Sequence, residues 1–187
     1  MQKDININKI GFVGLGVMGM SMFKNVAKCK EFTAQGFDND NSKLSTLQKL
    51  NLKQASNIKE IFNENDLIIT CLPSGKHVKN LFYKENAMSL IKKNQIIVDM
   101  STSQPDLMLK LEKDLKIKNA FIADAPIART RQAALDGTLA IMVGATNDIF
   151  KKIKPILELM GSDIMHCGSV GTGQFTKIIN NMILFQN

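Results

Sequence analysis

The stretch that most constrains the fold is KIGFVGLGVMG, residues 9–19. An apolar run, residues 10–13, leads into Gly14-Leu15-Gly16-Val17-Met18-Gly19. Residues 20–26 then carry apolar side chains at helical spacing. The order is strand, glycine turn, helix. Each glycine answers a steric demand of a dinucleotide site. Gly14 permits the tight turn, Gly16 lets backbone approach a pyrophosphate, and Gly19 lets the helix pack close to the strand. The helix start at Val17, Met18 and Gly19 then offers free N–H groups and partial positive charge to phosphates. Residues 32–37 read as a second strand, and Asp38 follows 19 residues after Gly19. An acid there accepts hydrogen bonds from adenosine ribose hydroxyls and repels a 2′-phosphate. Asp40 adds negative charge and no arginine lies nearby, so the pattern favours NAD over NADP. Asp38 has a second reading, as the opener of the turn-rich segment 38–42.

Strands and helices alternate down the rest of the chain, which predicts an α/β fold with a doubly wound, mostly parallel Rossmann-type sheet. Residues 42–49 and a short segment begun by Asn57, with Glu60 at the reciprocal capping position, read as helices. Residues 53–55 read as a short third strand. The continuous apolar run 66–72 reads as a strand buried on both faces. It breaks at Pro73-Ser74-Gly75, so Leu72 and Pro73 should lie against the cofactor at the carboxyl edge of the sheet. His77, where a helix resumes, is either catalytic or a solvent-facing helix position. Residues 95–100 form another strand, and Pro105 suits the first turn of a helix to about residue 116. Ser101, Thr102 and Ser103 occupy the junction, where one helix cap plus one ligand contact is expected. Further strands are read at 121–125, 138–143 and 163–167. Helices are read to residue 135 and over 146–160, with a turn at Asp136-Gly137. In the last segment, 171–185, Lys177, Asn180 and Asn181 fall on one helix face among mostly apolar positions. Such a helix expects burial, against a partner that this sequence does not contain.

The net charge of +7 raises the question of nucleic acid. The lysines are spread, however, and with one Tyr and no Trp the chain lacks a base-stacking surface, so no nucleic-acid partner is expected. No apolar run approaches the roughly 18 residues of a membrane span, and the start of the chain lacks the apolar core of a signal peptide. Cys29, Cys71 and Cys167 are scattered and two histidines make no zinc pattern, which fits a reduced, cytoplasmic setting and no metal. Among 24 basic residues the arginines are Arg129 and Arg131, placed within three positions of each other.

Four separated motifs together resemble the β-hydroxyacid dehydrogenases, the 3-hydroxyisobutyrate dehydrogenase-like family. They are GFVGLGVMG at 11–19, DMSTSQP at 99–105, DAP with DGTLAIMVGA at 124–126 and 136–145, and GTGQFTKIINN at 171–181. The resemblance implies hydride exchange between NAD and a small anionic β-hydroxyacid or its semialdehyde. Lys177 would be the catalytic general acid/base and Asn180 and Asn181 would place the substrate. Ser101 and Thr102 would line the substrate–nicotinamide region. It further implies a dinucleotide-binding domain over 1–168 and the start of an interdomain helix over 169–187. The family's helical C-terminal domain, which makes the homo-oligomer, is absent from this sequence. At Ala128-Arg129-Thr130 many members carry Ser-Gly-Gly. Arg129 is similar instead to the sulfolactaldehyde reductases, and with Thr130 it would grip a more strongly anionic substrate. Arg129 has a structural alternative, an ion pair with Asp124 or Asp136, and Lys177 has one as a surface lysine. The alternative for the whole chain is an NAD-binding module without its own catalytic activity.

Overall fold

A computed structural model describes residues 5–185; residues 1–4 and 186–187, which fall inside the expected domain spans, lie outside them. The chain runs β1 (Lys9–Val13), α1 (Val17–Ala27), β2 (Thr33–Phe37), α2 (Asn41–Lys49), α3 (Ile58–Glu64), β3 (Leu67–Thr70), α4 (Gly75–Lys79), α5 (Ala87–Leu90), β4 (Ile96–Asp99) and α6 (Pro105–Ile117). It continues with β5 (Phe121–Asp124), β6 (Ile127–Ala128), α7 (Arg131–Asp136), β7 (Leu139–Gly144), α8 (Asn147–Leu157), β8 (Gly161–Gly168) and α9 (Thr172–Phe185). After α4 the helix widens into a π-turn over Asn80–Lys84. Strands β2, β1, β3, β4 and β5 are parallel neighbours in that order. From β1 the chain first adds β2 on one side and then β3 on the other, and that reversal opens a crevice at the carboxyl edge.

Burial follows from alternation along strands covered on both faces. Ile10, Phe12, Leu67, Ile69, Ile96 and Val98 point into a core with Met22, Phe23 and Val26 of α1 and Ile149, Ile153 and Ile156 of α8. Val13, Ile68, Ile97 and Ile122 point the other way, against Ile61, Phe62, Met108, Leu111 and Leu115 of α3 and α6. Between the end of β1 at Val13 and the start of α1 at Val17 lie only Gly14, Leu15 and Gly16, so the helix opens directly from the glycine turn.

Several expectations are corrected. Residues 53–55 touch β2 at a single bridge, Gly36 to Gln54, and form no strand. No strand is expected between Pro126 and the helix to residue 135. The segment forms β6 there, which pairs antiparallel with β7, and β7 also meets the end of β5 antiparallel through Asp124 and Gly144. None of Ser101, Thr102 and Ser103 caps α6; its N-cap is Gln104, without a side-chain bond. The last strand is longer than expected and pairs parallel with β7. The Asn57–Glu60 cap forms as expected: the Asn57 side chain accepts from the Glu60 N–H, and Glu60 in turn accepts from the Ser56 N–H. Helix α9 keeps Lys177, Asn180 and Asn181 half-buried while Phe175, Ile179 and Met182 are exposed, an apolar face that the described residues leave uncovered.

Candidate active site

The glycine turn behaves as a cradle. Gly14 takes a left-handed φ of 94°, and a Cβ there or at Gly19 would collide with backbone carbonyls of Cys71 or Gly14. A Cβ at Gly16 would meet nothing within 4 Å, so that position faces the open crevice. Helix α1 starts from Gly16 with no side-chain cap and no acid in its first turn. Its leading N–H groups are therefore open to an anion. The crevice, about 470 Å³, gathers Gly14, Gly16, Val17, Met18, Gly19, Asp38, Leu72 and Pro73, all eight of the sequence-derived cofactor positions outside the β4 loop. It also contains His77, the alternative catalytic candidate, and Ile58, Asn80, Leu81 and Glu85, which motif reasoning did not assign to it. For Asn80, Leu81 and Glu85 the available signal was their position after the β3–α4 turn at the carboxyl edge. The residues present fit a dinucleotide: a glycine floor, an open helix N-terminus and an acid on the β2 side.

Asp38 opens the turn after β2 and also lines the crevice. Its Oδ2 accepts from the Leu15 N–H at 2.7 Å and its Oδ1 from the Asp40 N–H at 2.8 Å, while the carboxylate lines the crevice. Helix α2 is capped by Asp40, which accepts from the Ser42 N–H. His77 is exposed at the crevice, with Nδ1 2.9 Å from Ser74 Oγ. Cys71 also lines the crevice, but burial and the neighbouring Asp99 push its thiol up to about 12, which rules out a thiolate nucleophile.

Two buried carboxylates stand side by side where β4 and β5 end, Asp99 opposite Asp124. Asp99 organises the following loop: it accepts from Thr70 Oγ1 (2.8 Å), the Ser101 N–H (3.2 Å) and Ser103 Oγ (3.0 Å). Ser101 Oγ in turn accepts from the Leu72 N–H at 2.9 Å, which joins this loop to the crevice wall. Thr102 is exposed beside it, and its carbonyl accepts from the Gly75 N–H. Asp124 holds α9: Oδ1 accepts from the Gly171 N–H at 2.6 Å and Oδ2 from the Gln174 N–H at 2.8 Å. Burial raises both acids, Asp124 to about 6, against the lowering effect of these bonds.

Helix α9 thereby starts at the carboxyl end of β5 and reaches the crevice wall through the β4 loop. The fully buried Gln174 accepts from the Ser103 N–H at 3.0 Å and donates to the Ser101 carbonyl at 2.8 Å. Lys177 lies one turn further on, half-buried, and desolvation lowers its pKa from the ordinary lysine value. Asn180 Nδ2 is buried with no hydrogen-bond partner among the described residues. Such an orphaned donor costs free energy unless a ligand meets it. Asn181 is half-buried on the same face.

Arg129 has partners other than those its structural alternative named. It follows β6 with φ 85°, a glycine-like backbone. Its Nη1 donates to the Thr138 carbonyl (2.5 Å) and to Ser162 Oγ (3.1 Å), and its Nη2 lies 3.5 Å from Asp163. The structural alternative named Asp124 or Asp136. Asp124 is instead committed to α9, and Asp136 accepts from Gln132. Thr130 is exposed at the N-cap position of α7, and neither it nor Arg129 lines the crevice.

Fold and crevice together define a dinucleotide-binding domain of the doubly wound α/β class. Residues 9–168 match the family described as the NAD binding domain of 6-phosphogluconate dehydrogenase. Over 185 residues the chain is 36% identical to 2-(hydroxymethyl)glutarate dehydrogenase of Eubacterium barkeri, covering 98% of this chain and 60% of that protein. It is 35% identical to the mitochondrial 3-hydroxyisobutyrate dehydrogenase of Mus musculus, covering 94% and 52% respectively. The 3-hydroxyisobutyrate dehydrogenase of Mycobacterium tuberculosis superposes with a TM-score of 0.88 at 28% identity, over 96% of this chain and 60% of that one. The chain belongs to the β-hydroxyacid dehydrogenase family and carries its NAD-binding domain, and it spans roughly half to three fifths of these relatives' length. Among the described residues no helix is long and apolar enough to cross a membrane.

Proposed function

We propose that this chain supplies the cofactor half and the proton-transfer helix of an NAD-dependent dehydrogenase acting on a small anionic β-hydroxyacid or the corresponding semialdehyde. The observation that carries the reading is the attachment of the Lys177 helix, through Gln174 and Ser101, to the wall of the NAD crevice. When bound, the nicotinamide supplies the hydride acceptor or donor. The chain's own residues do the rest. Val17, Met18 and Gly19 receive the pyrophosphate at the α1 N-terminus, and Asp38 takes the ribose hydroxyls. Leu72 and Pro73 wall the crevice, and Thr102 meets the nicotinamide end from the adjoining β4 loop.

Lys177, already eased toward its neutral form by desolvation, takes the hydroxyl proton in oxidation and returns it to the carbonyl oxygen in reduction. Ser101, Asn180 and Asn181 place the substrate, Asn180 through its unpartnered Nδ2. Arg129 and Thr130 select for extra negative charge, the guanidinium exchanging Asp163 for a substrate anion. The dicarboxylate in the name of the E. barkeri relative favours a substrate of that kind. Residues 169 onward lead toward a helical domain that covers the exposed side of α9 and builds a homo-oligomer.

The test is a panel of small hydroxyacids and semialdehydes followed by nicotinamide absorbance, with NAD affinity measured by calorimetry. Turnover confined to anionic β-hydroxyacids or their semialdehydes supports the reading. NAD binding with no turnover across the panel favours a binding module without activity.

A further inference from the structure

Gln174 is fully buried, and neither capping nor volume accounts for it. Asp124 already satisfies the first N–H groups of α9, and a methionine would fill the same space without an amide to satisfy. What the amide adds is a pair of opposed hydrogen bonds to one short loop: in from the Ser103 N–H, out to the Ser101 carbonyl. That loop is itself fixed twice, by Asp99 below and by the Leu72 N–H at the crevice wall. Helix α9 also packs against β7, β8, β5 and α6, but apolar packing is non-directional and sets its rotation only loosely. The amide adds a directional anchor on its flank, and Lys177 lies only about 4.5 Å further along the axis.

We propose that Gln174 is a positioning residue: its buried amide fixes the orientation of α9, and so of the Lys177 ammonium, against the cofactor crevice. The inference rests on the reading of Lys177 as the proton-transfer group. Proton and hydride transfers tolerate little misplacement, so a flank anchor one turn from the lysine has a large lever on them.

The test uses this chain with ¹³C-labelled lysines, the Lys177 signal being assigned with Lys177→Arg. Gln174→Met keeps the volume and removes both hydrogen bonds. The Lys177 titration midpoint is expected to rise by about half a pH unit or more toward the ordinary lysine value as the side chain gains water. Amide exchange in the first two turns of α9 should quicken by about tenfold, while NAD affinity stays within about twofold. A residue that merely supports the fold would lower the melting temperature and leave the midpoint where it was. An unmoved midpoint in the folded variant overturns the proposal.

Should Gln174→Met fail to fold, Gln174→Glu decides. Its carboxyl, buried between the Ser103 N–H and the Ser101 carbonyl with Lys177 one turn away, keeps a donor and an acceptor when protonated. Native Lys177 signals are then expected at pH 5 and displaced ones at pH 8; native signals at both overturn the proposal. A wild-type chain that binds no NAD removes the dehydrogenase reading, whereas an unmoved Lys177 midpoint removes only the role of Gln174.

Discussion

Helices α1 and α9 both begin at the carboxyl edge of the sheet, and they use their N-termini in opposite ways. Helix α1 opens from Gly16 with no side-chain cap, so its first N–H groups remain available to a ligand. Helix α9 opens with Asp124 on the N–H groups of Gly171 and Gln174, so its backbone is closed to anions. The difference shows that a helix N-terminus is a ligand site only while the protein itself leaves it unfilled. A filled one becomes a rigid mount for side chains, here Lys177, Asn180 and Asn181.

The sharpest break of that contrast removes what α9 presents. Lys177→Ala should lower turnover by about a hundredfold to ten-thousandfold, as expected for loss of a general acid/base, with NAD affinity within about twofold. Parallel loss of both would place the lysine in cofactor binding instead. Gly19→Ala attacks the open end of α1. Its Cβ meets the Gly14 carbonyl, and overpacking of roughly 1–3 kcal/mol should weaken NAD about tenfold to a hundredfold, read by calorimetry. Asp38→Ala should weaken NAD about tenfold and narrow its preference over NADP; unchanged affinities for both would take Asp38 out of ribose recognition.

The glycine turn, Asp38 and the parallel sheet were legible because each leaves a local signature: glycine spacing, an acid at a strand end, continuous apolar runs. The Lys177 face was legible as a helix stripe. The β6–β7 pairing was not, because two residues carry no period, and its partner lies a dozen positions downstream across α7. The roles of Asp99 and Asp124 were equally hidden. Each reads in sequence as a strand-end acid, and only the register that sets them opposite each other shows one serving the loop and the other α9. Arg129 was recognised as unusual, but its partner Asp163 sits on a strand brought alongside by the parallel β7–β8 pair.

Two smaller effects refine the comparison. Asp124 in the folded chain titrates near 6 against an ordinary 3.8, so between those values the folded chain holds a proton that the unfolded chain has lost. The stability from this proton is present at low pH and is lost as pH rises through about 6. The stability difference between wild type and Asp124→Asn should therefore shrink by roughly 1 kcal/mol from pH 5 to pH 7.5 in urea unfolding. A constant difference would assign that proton elsewhere. Arg129→Gly should raise KM for the most strongly charged substrates by a few-fold, about 1 kcal/mol, and leave the neutral end of a substrate panel unchanged. An even effect across the panel would make the arginine purely structural.

Arg129 already travels along a path that glycine follows without strain. Exchanging the two residues therefore asks nothing of the neighbouring main chain, and the charge carried at this corner can change while the scaffold stays as it is.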